Sequence, residues 1–245
     1  MIGVYVTVPI ACFRKGLARE YLETEIIPPP STCYGFLLSL VGETNRERHI
    51  GVRVTPMLLN EHPRRDPHDT DHTSVGGRDD QMLMKYPEIS VVLRTVWRVK
   101  KKPLGSSGNT RPDYQQILSN IELILWLDSS EEENGGCFLE QRVRDALDPQ
   151  KRQSIKRFGG LSLGESTHLV DCVSLLNDEL KRTLASKKVC LYQLNDQGLL
   201  GLPVWVDHVG SAGTVHVVGD LIDMEGIAPP ELDKMPKIAS SYTLE

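Results

Sequence analysis

The stretch "QQILSNIELILWLD", residues 115–128, decides the fold of this chain of 245 residues. Its apolar side chains occupy both sets of alternating positions, so a β-strand formed from it is apolar on both of its faces. Strands of this kind lie inside a sheet, with a neighbour on each side. We therefore predict that residues 115–128 form a central strand.

The residues before this strand predict a second strand and a helix. "IGVYVTV", residues 2–8, alternates valines with Tyr and Thr, as a half-buried strand does. "STCYGFLLSLVGE", residues 31–43, predicts a helix that is apolar nearly all round and therefore buried. Ser31 or Thr32 is the expected N-cap of this helix, and Gly42 is expected to end it.

Four further segments complete the order of elements. Residues 49–59, 89–102 and 167–176 predict strands, and residues 137–149 predict an amphipathic helix that Pro149 ends. Residues 89–102 belong to an insertion, and without it the order is strand, helix, strand, strand, helix, strand, which predicts an α+β fold of the ferredoxin-like βαββαβ type. In that fold an antiparallel sheet carries two helices on one face, and we expect the other face to be open for a ligand.

The same pattern divides the chain into a main domain and an extension. Residues 1–180 are predicted to form the ferredoxin-like domain, and residues 181–245 a small β-rich extension and tail. Residues 60–112 interrupt the domain and predict an extension that projects from it, with a first part that is polar and rich in proline and glycine.

Basic side chains are concentrated in two segments of a chain whose net charge is −5. Residues 89–112 contain six basic residues and residues 150–157 contain four, and neither segment contains an acidic one. Local cationic segments on an acidic body favour a defined site for a polyanion, although such runs are often simply solvated loops. The ten residues are Arg94, Arg98, Lys100, Lys101, Lys102, Arg111, Lys151, Arg152, Lys156 and Arg157.

A glycine-rich loop follows the second cationic segment. "FGGLSLGEST", residues 158–167, contains Gly159, Gly160 and Gly164, which permit a positive φ and a close approach of the backbone to an anion. The loop leads from a helix to a strand and lacks the pattern of a nucleotide-binding loop, so we predict no cofactor. The alternative is a tight turn without a ligand.

The cysteines and histidines give little indication of a metal. Five cysteines without a C-x-x-C pair indicate neither a disulfide framework nor a zinc ribbon, and they fit a reducing cytoplasm. Neither a signal peptide nor a membrane span is visible, so we expect a cytoplasmic protein without a membrane partner. His62, His68 and His72, with Asp66, Asp69 and Asp71, lie in a proline-broken segment, which favours a solvated arm over a metal site.

Three motifs in the same order resemble one protein family. They are F-R-x-x-x-A-R-x-Y with "PPPSTCYGFLLSLVG" in residues 13–42, "RPDYQQILSNIELILWL" in residues 111–127, and "RFGGLSLGEST" in residues 157–167. Together they resemble Cas family five, the RAMP-superfamily subunits of type I CRISPR Cascade complexes. The motifs cover roughly a third of the chain, and residues 60–88 and those after about 177 match nothing recognised.

The resemblance implies a non-catalytic subunit of an RNA-guided surveillance complex that binds and caps the 5′ handle of the crRNA. Its implied partners are that handle, the backbone subunit of Cas family seven, a large subunit of the Cas family eight type, and target DNA in the assembled complex. The role would be antiviral defence or transposon-associated targeting. The resemblance also implies that the projecting extension of residues 60–112 is a β-hairpin thumb. By position, the residues implied to contact RNA are Arg14, Lys15, Arg19, Tyr21, Arg94, Arg98, Lys100, Lys101, Lys102, Arg111, Lys156, Arg157, Gly159, Gly160 and Gly164.

Two enzymatic alternatives stay open. One branch of the family cuts repeat RNA without metal by using a tyrosine and a Lys-His pair, but this sequence has no Lys-His dipeptide. Tyr21 and His168 are the remaining candidates for such an endoribonuclease. A small enzyme that binds a phosphate ligand in the glycine loop is the second alternative, although no converging titratable groups are visible.

Overall fold

The computed structural model describes residues 1–15, 23–59, 87–97, 103, 106, 108–133, 136–207 and 212–240. The strands are β1 (Ile2–Ala11), β2 (Phe13–Arg14), β3 (Thr24–Glu25), β4 (Arg53–Leu58), β5 (Glu88–Trp97), β6 (Thr110–Asp128), β7 (Cys172–Leu175), β8 (Lys188–Leu194), β9 (Leu200–Trp205) and β10 (Val215–Glu225). The helices are α1 (Pro30–Leu40), α2 (Leu139–Leu147) and α3 (Asp178–Thr183), with 3₁₀ turns at Arg152–Ser154 and Leu232–Lys234.

Strand β6 organises the main sheet. Its C-terminal half lies between β1 and β4, so that Leu125 pairs with Val4 on one side and with Pro56 on the other. The sheet order is β7-β1-β6-β4-β8-β10-β9, and the pairings along it are antiparallel. The central position predicted for residues 115–128 is therefore confirmed for their C-terminal part.

The N-terminal half of β6 leaves the body of the sheet and pairs with β5 as a hairpin, in the register Glu88↔Ser119 to Trp97↔Thr110. The alternation of side chains between the two faces of β6 is interrupted where the strand leaves the sheet. Leu118 and Ile121 lie three positions apart and yet belong to the same core cluster. Asn120 between them has a φ of 52°, a left-handed conformation that asparagine tolerates better than most residues.

Helices α1 and α2 cover one face of the sheet. Their buried side chains join Val4, Val6 and Val8 of β1 in one hydrophobic cluster, since alternate residues of that strand point to the same face. The chain is thus a mixed α+β protein built on an antiparallel sheet, as predicted. Within the described residues, no helix is long and apolar enough to cross a membrane.

The ends of α1 follow from its prolines and from Gly42. The helix begins at Pro30 with Pro29 as N-cap and no side-chain cap, so the predicted cap by Ser31 or Thr32 is wrong. A proline suits the first helical position because its φ is already helical and its missing N–H would have had no partner there. Gly42 ends the helix as predicted, with a φ of +68° and a Glu43 N–H bonded to the Leu38 carbonyl.

The second face of the sheet is also covered, so the predicted open face is wrong. Ile124 and Trp126 of β6 are buried in a second cluster together with Leu184, which follows α3, and Met235, which follows the last 3₁₀ turn. The covering residues lie far along the chain, and their short apolar runs do not show which surface they cover. In the described structure, a ligand therefore has access at the rims of the sheet and at the β5–β6 hairpin.

We expect Ile124→Ala and Leu125→Ala each to lower the free energy of unfolding by about 2–5 kcal/mol. The two side chains are fully buried and belong to different clusters, one on each face of β6. Chemical denaturation checks this, with Leu199→Ala as the control because Leu199 is 97% exposed. A negligible loss for Ile124→Ala alone would contradict the covered second face.

Candidate nucleic-acid interface

The glycine loop uses its glycines in different ways. Gly164 has a φ of +93°, and a Cβ there would lie 2.6 Å from the carbonyl oxygen of Cys12. This glycine is therefore required by close packing against the end of β1. Gly159 has a φ of +73° with no atom within 4 Å of the position that a Cβ would occupy, so its bare backbone faces open space. Gly160 is not left-handed, and a Cβ there would meet Leu169 at 3.1 Å.

The cationic segment before the loop is fixed by its backbone while its side chains remain exposed. The carbonyl oxygen of Lys156 would lie 2.1 Å from a Cβ at Gly42, so the segment packs directly onto the end of α1. Lys151 forms an ion pair with Asp145 at 2.7 Å. Arg152, Lys156 and Arg157 are exposed and have no ion pair with any described residue. These three cations are thus available to an external anion.

Glu165, at the end of the glycine loop, joins three other parts of the chain. Its carboxylate accepts hydrogen bonds from Arg14 Nε at 2.7 Å, from Arg94 Nη1 at 3.2 Å and from Gln115 Nε2 at 3.1 Å. Arg14 belongs to β2, Arg94 to β5 and Gln115 to β6. Two arginines predicted as RNA contacts are thus brought together by a residue of the third family motif that was not among the predicted contacts.

In the Glu165 cluster, the arginines outnumber the carboxylate that binds them. One carboxylate faces two guanidinium groups, and the side chains of Arg14 and Arg94 are 53% and 38% exposed. A guanidinium has five N–H donors, so each arginine can bind the carboxylate and still donate to a phosphate. Burial alone would raise the pKa of Glu165, but the hydrogen bond and charge of Arg14, with the charge of Arg94, hold that pKa below its usual range.

His168 lies beside the Glu165 cluster, and its backbone N–H donates to the Glu165 carbonyl at 2.9 Å. Its Nδ1 is buried without a hydrogen-bond partner among the described residues. Burial lowers the pKa of His168, and Arg94 lowers it further against the opposing effect of Glu165. The imidazole is therefore neutral at pH 7, and nothing described places a second titratable group in position for acid–base catalysis with it.

The structure describes only some of the residues that are predicted to contact RNA. Lys15 lies next to Arg14 and forms an ion pair with Glu23 at 3.6 Å. Arg111 lies in β6 next to the end of the hairpin, but its side chain is outside the described part of the chain. The candidates outside the described residues are Arg19, Tyr21, Arg98, Lys100, Lys101 and Lys102, together with the histidines and aspartates of residues 62–72. Elsewhere in the described chain, no three potential ligands are grouped for a metal ion.

A curated protein of Myxococcus xanthus (strain DK1622), the "CRISPR-associated protein Cas5", is 44% identical to this chain over 240 residues. The match covers 97% of this chain and 97% of that protein. The chain belongs to the Cas5 family. The family resemblance predicted from the three motifs is thereby confirmed.

Among solved structures, a chain of a "CRISPR RNA-guided surveillance complex" superimposes with a TM-score of 0.56, and the match covers 95% of both chains. Its sequence identity is 12%, so the likeness shows that the fold is shared. No model of a known protein family matches the sequence.

The hairpin of this Cas5-family chain has two different faces. One face carries Arg94 and Gln115 and meets the glycine loop through Glu165. The other face exposes Leu93 and Tyr114, which are directly opposed across the hairpin and are 64% and 55% exposed, with Val91 at 47% beside them. Basic and apolar side chains of β5 therefore lie on opposite faces where they are described.

The sequence contained a signal for Glu165, which lies in the third family motif. Glu165 is the only acidic residue between Asp148 and Asp171, in a stretch that is otherwise basic and glycine-rich. A single carboxylate in such a place predicts an ion pair, although the arginines that it binds lie far away along the chain. Tyr34, by contrast, is a candidate for base stacking by residue type but is buried, and its hydroxyl donates to the Arg46 carbonyl at 2.6 Å.

We expect Glu165→Gln to lower the free energy of unfolding by about 1 kcal/mol at pH 7, since two partly exposed ion pairs lose their charge. The folded pKa of Glu165 lies below the unfolded value. The stabilisation is therefore complete above the usual glutamate pKa of about 4.3 and disappears as the pH falls through the folded pKa.

Denaturation of both proteins between pH 7 and pH 3 checks this difference. Glu231→Gln is the control, because Glu231 is exposed and forms no ion pair with the described residues. A difference between wild type and Glu165→Gln that stays constant down to pH 3 would show that charge at Glu165 is not the cause.

Proposed function

We propose that this protein is a non-catalytic subunit of a CRISPR RNA-guided surveillance complex, in which it binds the 5′ handle of the guide RNA. The observation that carries the proposal is the Glu165 cluster. It ties Arg14 and Arg94 to a glycine loop that follows directly after exposed, unpaired Lys156 and Arg157. Cations from three separate parts of the chain thus lie at the two ends of one glycine-rich loop.

The chemistry of this surface suits an RNA backbone. Arginine and lysine side chains and free backbone N–H groups are the usual donors to phosphate oxygens, and such contacts position an RNA without reading its sequence. Gly159 leaves its backbone open on the same loop. The name of the Myxococcus relative and the fold shared with a surveillance-complex chain agree with this assignment.

The apolar face of the β5–β6 hairpin supports a place inside an assembly. Leu93, Tyr114 and Val91 form a contiguous exposed group on a projecting element, as residues that pack against another protein do. We assign this face to the backbone subunit of Cas family seven. The large subunit of the Cas family eight type and target DNA would meet the protein elsewhere in the complex.

The fold supports a finer division within the same proposal. The order β7-β1-β6-β4 and its antiparallel pairing support the proposal that these strands, with helices α1 and α2, form a ferredoxin-like domain of the RAMP type. We assign residues 1–180 to that domain. Strands β8, β10 and β9 of residues 181–245 would be an extension that lengthens its sheet beyond β4.

We expect Arg157→Glu to weaken binding of the protein's own repeat RNA by roughly tenfold, because a negative charge would then face a phosphate. The slope of log K against log salt should also become shallower by about 0.7 for each phosphate that the variant no longer neutralises. End-labelled RNA in EDTA on native gels over a range of salt concentrations measures both quantities.

Lys234→Glu is the matched control, since Lys234 is exposed and its turn covers the opposite face of the sheet. Unchanged affinity and slope for Arg157→Glu would remove the glycine loop from the RNA site. The same RNA on a denaturing gel tests the absence of catalysis. A cut at one phosphodiester would make the protein the processing endoribonuclease and point to Tyr21 and His168.

We expect Leu93→Ser to reduce incorporation of the protein into the assembled complex severalfold while its own RNA affinity stays unchanged. The substitution removes apolar area from the hairpin face and leaves Arg94 and Gln115 on the other face. Co-purification with the other subunits and guide RNA measures incorporation. Leu199→Ser, at a site 97% exposed outside the hairpin, is the control, and equal losses for both variants would count against the assigned face.

A further inference from the structure

Phe158 is the most exposed aromatic residue whose side chain the structure describes. It is 89% exposed, compared with 55% for Tyr114 and 47% for Phe138. A single exposed apolar side chain needs no special explanation. Phe158, however, lies between the unpaired cations of the 152–157 segment and the open backbone of Gly159.

The charges around Phe158 indicate the nature of its partner. No acidic residue occurs between Asp148 and Glu165, and Lys156 and Arg157 are both exposed beside the ring. A surface that binds an apolar protein is depleted in charge at its centre. An aromatic ring among cations instead fits single-stranded nucleic acid, in which phosphates alternate with flat bases.

The backbone on the other side of the ring leaves room for a base. Gly159 has a φ of +73°, and no atom lies within 4 Å of the place where a side chain would begin. Close packing within the chain therefore does not account for this glycine, whereas it does for Gly164.

We propose that Phe158 stacks on an unpaired base of the RNA whose phosphates Lys156 and Arg157 bind. The inference rests on the proposed function and adds selectivity to it. Consecutive Cα atoms are about 3.8 Å apart, so Arg157 can reach the backbone of the nucleotide that lies on Phe158. Bases in a duplex are already stacked on their neighbours, so this contact selects single-stranded RNA over duplex RNA.

The test compares Phe158→Leu with Phe158→Trp in the full chain. Leucine keeps an apolar side chain without a π-face, whereas tryptophan keeps the face. We expect Phe158→Leu to weaken binding of the single-stranded handle RNA by about 5- to 150-fold and Phe158→Trp to bind as wild type does. Leu199→Ala, at a distant exposed leucine, should change nothing.

A series of handle RNAs that each carry one abasic nucleotide identifies the stacked base. At one position, the abasic RNA should bind the wild-type protein weakly. Phe158→Leu should then cause no further loss of affinity for that RNA, because the stacked base and the ring form one coupled pair. The stacking proposal is wrong if Phe158→Leu binds normal RNA as tightly as wild type does. It is also wrong if the affinity losses from Phe158→Leu and from the abasic nucleotide are additive at every position.

The outcomes also separate this inference from the proposed function. Loss of RNA binding by Arg157→Glu but not by Phe158→Leu would overturn stacking alone. Failure of wild type to bind handle RNA, alone and in the assembled complex, would overturn both. Reduced incorporation into the complex by Phe158→Leu with unchanged RNA affinity would make Phe158 a protein contact and overturn stacking.

Discussion

The need to cover both faces of β6 governs the rest of the structure. Ile124 and Leu125 are adjacent, fully buried and directed into different hydrophobic clusters. One face is covered by α1 and α2, and the other by residues after α3 and near the C-terminus. Because β6 has 19 residues whereas its neighbours β1 and β4 have 10 and 6, its other half extends beyond them and pairs with β5. The same strand thus builds the core and supports the projecting hairpin.

The candidate RNA site is held together by electrostatics at the place where the hairpin leaves the core. Glu165 is 17% exposed, and it binds Arg14, Arg94 and Gln115 in a geometry that fixes the loop against both β2 and the hairpin. Gly164 allows this approach by packing against the Cys12 carbonyl. The free cations and the open backbone of Gly159 then lie on the outer part of the loop. The Glu165 end of the glycine loop thus anchors the loop to the fold, and its other end carries the groups that are proposed to bind RNA.

Such a surface is suited to holding an anionic chain in a fixed path. In the proposed RNA complex, phosphates would contact side chains whose positions are set by Glu165 and by the backbone packing at Gly42. His168 is close by, but its Nδ1 is buried and its ring is neutral at pH 7. The apolar face of the hairpin points away from the Arg94 face, so a protein neighbour and an RNA can occupy opposite sides of the same element.

The sequence by itself determined the local periods, the charge segments and the family motifs. Alternation in residues 2–8, apolarity on both faces of residues 115–128 and glycine at position 42 led to the elements now described, because each depends on neighbours within a few residues. It did not determine that Leu184 and Met235 cover the second face, or that Glu165 pairs with Arg14 and Arg94. The two Glu165 pairs join residues 71 and 151 positions apart, and only the folded sheet brings them together. Side-chain partners at such separations are decided by tertiary packing, which local periodicity does not encode.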